Sequence, residues 1–185
     1  LRAKILLQLK PLKQFSIPFT GLKIGKHQFD FEIDNSFFDA FEYSLVKQGN
    51  LKAEIELDKQ ETMLILQFHI AGTILLDCDK CLSDFNYPLD VKERQIVKFA
   101  EDELESDDLE IIVLSRKEST IDVAELIYEF ITVNVPYIKV CEQGGEEQQC
   151  DPEMIERLES YSSGAPETEE KNENDPRWEA LKKLK

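Results

Sequence analysis

The sequence predicts an α+β fold, an antiparallel, hairpin-rich β-sheet with one main packed helix and short C-terminal helices. Three observations lead there. Successive segments of the N-terminal half alternate apolar and polar residues; one segment near residue 125 combines helical spacing with cap residues; and beyond Cys141 the composition turns polar, with two Asp-Pro helix starts. A chain of 185 residues suits one domain with an appendage and is long enough to bury a core without covalent staples. We divide it into an α+β core domain, 1–141, and an acidic, partly mobile C-terminal arm, 142–185, ending in a short amphipathic helix.

The elements follow in order. "QFSIPF" reads as a strand ended at Pro18, and "GLKIGKHQFDFEID" holds two glycine turns and the alternating Phe29, Phe31 and Ile33. "NSFFDAFE" is a short helix with Asn35 or Ser36 as N-cap and Phe37, Phe38 and Phe41 facing the core. "LKAEIELD" sets Leu51, Ala53, Ile55 and Leu57 on one face and charged residues on the other. After a polar turn at 59–61, "TMLILQFHI" repeats the alternation, so the two segments should pair as a hairpin. Gly72 marks a bend or bulge. The chain then enters Cys78-Asp-Lys-Cys81, and alternation resumes at Phe85, Tyr87, Leu89 and Val91, which places the cysteine pair at a hairpin tip.

"DELESDD" is an acidic loop and "EIIVLS" a strand. In "IDVAELIYEFI", Asp122 caps while Glu125 reaches back, Ile121 and Leu126 form a staple, and Val123, Leu126, Ile127 and Phe130 share a face. Pro136 closes that segment. A short helix starts at Asp151-Pro152 and a second at Asp175-Pro176. The latter carries Trp178, Leu181 and Leu184 on one face and Lys182, Lys183 and Lys185 at its end, where the helix dipole favours cations. Trp178 and Leu181 are candidate partner-binding residues, the alternative being that this turn docks on its own domain.

Net charge is −16, unevenly spread. Residues 1–29 hold Arg2, Lys4, Lys10, Lys13, Lys23 and Lys26 with no acid before Asp30, whereas residues 142–175 hold two bases and twelve acids. The basic leading edge is either a solvated strand face or a phosphate-contacting surface, with Lys4, Lys10, Lys13, Lys23 and Lys26 as candidate nucleic-acid contacts. Phe15, Phe19 and Phe29 lie nearby, with core packing as their competing role.

Four cysteines are few for this length, and Lys4 and Lys10 bracket only a short apolar stretch rather than a signal-peptide core. No segment approaches the roughly 20 apolar residues of a membrane span. These features predict a cytoplasmic, reducing setting, which disfavours structural disulfides. Four thiolates suffice for tetrahedral zinc, and such sites draw on close pairs at turns. Cys78 and Cys81 make a first pair; Cys141 and Cys150, joined by the glycine-containing "EQGGEEQQ", make a wider second. A redox pair requires its first cysteine at a helix N-terminus, whereas a strand leads into Cys78. We expect Cys78, Cys81, Cys141 and Cys150 to hold a structural zinc that ties the hairpin tip to the loop after the helix, the alternative being two unrelated pairs of reduced thiols.

Catalytic signatures are absent: there is no phosphate-cradling glycine loop, nucleophile elbow or HExxH, and the only histidines are His27 and His69. The sequence predicts no catalysis and no small-molecule substrate. No RNA-binding module is recognisable either.

"CDKCL" after an apolar strand, "IDVAELIYEFITVNVP" followed by a cysteine, and the terminal "DPRWEALKKLK" together resemble the YceD family of bacterial large ribosomal RNA subunit accumulation proteins. The likeness runs from about residue 60 to the end, and the opening "IPF…LK.G.H.F.F" is similar to the branch in Bacteroidetes-type bacteria. The resemblance implies a non-enzymatic cytoplasmic ribosome biogenesis factor that supports accumulation or processing of large-subunit ribosomal RNA. It also implies two cysteine pairs, the first at Cys78 and Cys81, the second after the helix where Cys141 and Cys150 stand. The partner expected is ribosomal RNA or a pre-ribosomal particle. A rival reading is an acidic protein that shields a basic ribosomal protein, with residues 101–175 as an RNA mimic.

Overall fold

A computed structural model describes residues 11–100, 111–145 and 148–162. After a 3-10 turn at Pro11–Phe15, the strands are β1 (Ser16–Pro18), β2 (Gly25–Ile33), β3 (Gly49–Lys59), β4 (Met63–Asp77), β5 (Asp84–Ala100), β6 (Ile111–Ser115) and β7 (Thr120–Asp122). The helices are α1 (Asn35–Asp39), α2 (Ala124–Val133) and α3 (Pro152–Ser162), with a second 3-10 turn at Cys141–Gly144. The mixed α+β class and the hairpin-rich sheet are as expected.

The main sheet runs β2-β3-β4-β5-β6. Its first four strands form an antiparallel meander whose alternation gives it one dry face. Leu51, Ala53, Ile55 and Leu57 of β3 and Leu64, Leu66, Phe68 and Ile70 of β4 are buried; the two strands pair as the expected hairpin, in the register Ile55 to Phe68. β6 departs from the antiparallel pattern and pairs parallel with β5, Ile96 to Ile111. β1 and β7 form a separate antiparallel ribbon that clips the N-terminal segment to the start of α2, with Val123 N–H donating to Phe15 O at 3.0 Å.

α2 lies on the dry face. Leu126, Ile127 and Ile131 are buried there, each worth about 2 kcal/mol in area removed from water. Phe130 meets Phe68 edge-on at 5.1 Å, and Tyr128 stacks on Phe41 at 4.0 Å between ring centroids. Phe15 (fully buried) packs on Phe31 and Phe37, and Phe19 on Phe99. These aromatics near the basic edge are core residues, and Phe29 is packed half-buried against them.

Three local expectations change. α1 is capped by Asp34, whose Oδ1 accepts from Ser36 N–H at 2.9 Å and from Ser36 Oγ at 2.6 Å. The expected cap Asn35 instead accepts from Gly49 N–H at 3.0 Å, tying the helix to β3. At α2 the cap position is Val123, because Asp122 is still in the β7 ladder; its carboxylate accepts from Ala124 N–H at 2.9 Å. Glu125 therefore makes no capping box, since the Val123 amide is already taken by Phe15.

Gly72 does not bulge the sheet. β4 passes through it in register with Leu51 and Leu89. The residue is needed because its φ is +151° and a Cβ there would stand 2.3 Å from Asn50 O and 2.6 Å from Leu51 Cα.

Candidate metal centre

The long β4–β5 hairpin ends one turn beyond its last pair, Asp77 with Asp84. The turn closes through Cys78 N–H to Ser83 O at 3.0 Å and Leu82 N–H to Cys78 O at 2.9 Å. Leu82 takes φ +61° to make this closure and is 71% exposed. The geometry turns Cys78 and Cys81 inward, both buried.

The second pair arrives from the chain after α2. Asp79 N–H donates to Lys139 O and Lys139 N–H to Asp79 Oδ2, both at 2.7 Å, so the incoming segment is bolted to the knuckle beside Cys78, two positions before Cys141. Lys80 and Glu142 add an exposed ion pair at 3.4 Å. The 3-10 turn begins at buried Cys141, with Val140 N–H donating to Gln143 Oε1 at 3.1 Å. Gln148 then grips β5 from both sides of its amide. It accepts from Asn86 N–H at 2.8 Å and donates to Asn86 O at 3.1 Å. Gly144 permits this approach, since a Cβ there would be 2.6 Å from Asn86 O.

These ties deliver Cys150 beside Cys78 at 3.7 Å between sulfurs, and Cys141 beside Cys81 at 3.5 Å. All four sulfurs lie within 4.8 Å of one another. A disulfide requires about 2.05 Å, so the four are free thiols. Sulfurs on a tetrahedron with metal–sulfur bonds of about 2.3 Å are about 3.8 Å apart, a spacing close to that of the cluster. The donor set fits a metal ion.

Electrostatics favour the same use. Backbone N–H groups of Asp151 and Ser83 at the Cys81 sulfur pull its thiol down to about 6. At Cys78, burial opposes ionisation but the amides of Cys81 and Lys80 outweigh it, and the thiol is lowered. Burial pushes Cys141 and Cys150 upward, helped at Cys141 by the Cys81 and Cys78 sulfurs beside it. Amide donors at two of the sulfurs and burial of the other two make a cluster whose ionised form a cation would stabilise. Cys78 follows a strand rather than opening a helix, unlike the nucleophile of a thioredoxin-type pair.

Among the described residues, no other predicted site residue joins this cluster. Lys4, Lys10, Trp178 and Leu181 lie outside the described residues. Lys13 sits in the first 3-10 turn and Lys23 before β2, both exposed. Lys26 is on the outer sheet face, paired with Glu56 at 2.7 Å, which raises its pKa. His69 lies on that face beside Asp90 at 3.1 Å, and His27 contacts Lys23 O at 2.8 Å. Sequence reasoning missed the Asp77–Asp84 pair at the knuckle's neck, where Asp77 hydrogen-bonds Asp84 and raises its pKa. The aspartates at the two ends of "DCDKCLSD" carry that signal. It also missed Asp79 and Gln148, whose partners are sixty or more positions away.

Fold and site together define a small α+β protein with a candidate four-cysteine metal centre joining a hairpin tip to the chain after the main helix. The chain belongs to the YceD family. The model of the large ribosomal RNA subunit accumulation protein YceD matches residues 66–185. The uncharacterized protein YlbN of Bacillus subtilis (strain 168) is 30% identical over 128 residues, 69% of each chain. No solved structure matches. No helix among the described residues is long and apolar enough to cross a membrane.

Proposed function

We propose that this chain is a cytoplasmic, non-enzymatic ribosome biogenesis factor that supports accumulation or processing of large-subunit ribosomal RNA by binding that RNA or a pre-ribosomal particle. The observation that carries the reading is the family match across 66–185, and the family is named for accumulation of that RNA. In this reading Cys78, Cys81, Cys141 and Cys150 hold a structural zinc, whose chemistry is to neutralise four clustered sulfurs and cross-link two segments. The chain's own residues set its position through the Asp79–Lys139 and Asn86–Gln148 ties. The exposed basic edge supplies the phosphate contacts, with Lys13 and Lys23 open to solvent.

Affinity capture at moderate salt, with RNA and protein identified together, tests it. Replacing Lys4, Lys10, Lys13, Lys23 and Lys26 should weaken RNA capture and flatten its salt dependence, because fewer counterions are released. Capture of RNA unchanged by those replacements refutes the basic-edge assignment. The second reading, an acidic protein that shields a basic ribosomal protein, draws on the exposed Glu153, Glu156 and Glu159 of α3. In that case deleting residues 142–175 removes the partner and the lysine replacements do not.

A further inference from the structure

α3 leaves the metal centre carrying an apolar stripe that its own domain covers only at the base. Cys150 and Met154 pack against the core, and Asp151 N–H donates to the Cys81 sulfur. One turn further on, Leu158 is 46% exposed and Tyr161 85%. Beside this stripe a groove of about 510 Å³ runs between α3 and the Cys141–Gly144 turn. Its floor is Pro152 and Ile155, its walls are Glu142, Glu156 and Glu159, and no Lys or Arg among the described residues lines it. The surface therefore asks for an amphipathic segment with an apolar stripe and positive flanks, about as long as three helical turns.

The chain contains such a segment. Residues 176–185, "PRWEALKKLK", carry Arg177, Lys182, Lys183 and Lys185 against one acid, Glu179, whereas residues 142–175 carry two bases and twelve acids. Trp178, Leu181 and Leu184 recur every third position, the spacing by which Ile155, Leu158 and Tyr161 line α3. The intervening residues 163–175 reach up to about 45 Å if extended, ample to bring the segment back along a helix that is about 16 Å long. A tether of that length holds its end at roughly millimolar effective concentration, so weak complementarity suffices.

We infer that the C-terminal segment 176–185 occupies the acid-walled groove of α3, seating Trp178 and Leu181 on Ile155 and Leu158 with Lys182 and Lys183 beside Glu156 and Glu159. The assignment extends beyond the RNA reading and is independent of it.

Trp178 is the only tryptophan, so the full-length chain reports on itself. Its emission should be blue-shifted and shielded from acrylamide without any partner present. Ile155→Asp with Leu158→Asp should red-shift the emission and raise the quenching constant severalfold, leaving the far-ultraviolet signature of the sheet unchanged. Glu156→Lys with Glu159→Lys should do the same, and adding Lys182→Glu with Lys183→Glu should restore the shielding. That charge swap lies on the surface and decides the matter even if the apolar variants misfold. A fully exposed Trp178 in the parent chain overturns the inference and leaves the groove to a basic segment of another protein. Shielding that survives both sets of α3 variants also overturns it, placing the segment elsewhere. Shielding that disappears on dilution assigns the groove to a second copy and overturns it equally.

Discussion

The β3–β4–β5 hairpins and the chain between 139 and 162 are held to the molecule by different physics. Along β3 and β4 alternate side chains enter one apolar layer. From Leu64 to Leu76 the even-numbered core-face residues of β4 are buried, interrupted only at Gly72. Attachment there is distributed, and the loss of one contact leaves its neighbours in place. In 139–162 it is concentrated in a few polar ties and four sulfurs, and α3 meets the core chiefly through Met154, with Cys150 packed just before the helix starts. The difference teaches that the sheet can fold by burial alone, whereas the position of α3 depends on the cysteine cluster.

The largest expected effect breaks the distributed half at the one place where it has no slack. Gly72→Val puts a side chain into the Asn50 carbonyl and forces positive φ on a β-branched residue, so we expect a loss of about 3–5 kcal/mol and a melting temperature lower by about 10 °C. Gly21→Ala is the control, since nothing lies within 4 Å of its Cβ position. Thermal unfolding of the two variants checks this, and equal melting temperatures would refute the close-approach account.

A smaller and more local effect separates the two halves. Treatment with a chelator that strips any metal held by the four cysteines, or replacing Cys141 by Ser, should leave amide protection in β3, β4 and β5 intact while exchange accelerates through 139–162. Elemental analysis of the parent chain should find stoichiometric metal, and of Cys141→Ser none. Uniform loss of protection across the sheet would mean that the cluster supports the whole fold, contrary to the contrast drawn above.

The same contrast explains what could be read from the sequence. Burial on one face imposes a period of two, so the β3–β4 pairing and the hairpin tip were visible in "LKAEIELD", "TMLILQFHI" and "FNYPLDV". The α3 start was visible because Asp-Pro is a local signal. The cysteine cluster could be anticipated as a set of four, but not the pairing of Cys78 with Cys150 and Cys81 with Cys141, which is set by ties such as Asn86–Gln148. The parallel setting of β6 was hidden because local alternation is the same in either direction. The β1–β7 ribbon was hidden because three-residue strands carry almost no periodic signal. Asp34 escaped notice because Asp, Asn and Ser stand in succession and each is a competent cap; only the Gly49 amide, which occupies Asn35, decides among them.

That cap supplies the smallest effect, and it sharpens the comparison by showing a purely local contribution within the distributed half. The Ser36 hydroxyl, followed by the Ser36 and Phe37 amides, holds the Asp34 carboxyl below its ordinary 3.8. A carboxylate lowered on folding stabilises the native state fully above its unfolded value, and the contribution fades as pH falls through the lower folded value. Asp34→Ala should therefore cost about 1 kcal/mol at neutral pH. The gap between parent and variant should narrow only below about pH 4. Urea unfolding at pH 7 and pH 3 reads both quantities. A gap that persists unchanged at pH 3 would show that the aspartate acts through its backbone geometry rather than its charge, and α1 would then owe its start to the Asn35–Gly49 bond instead.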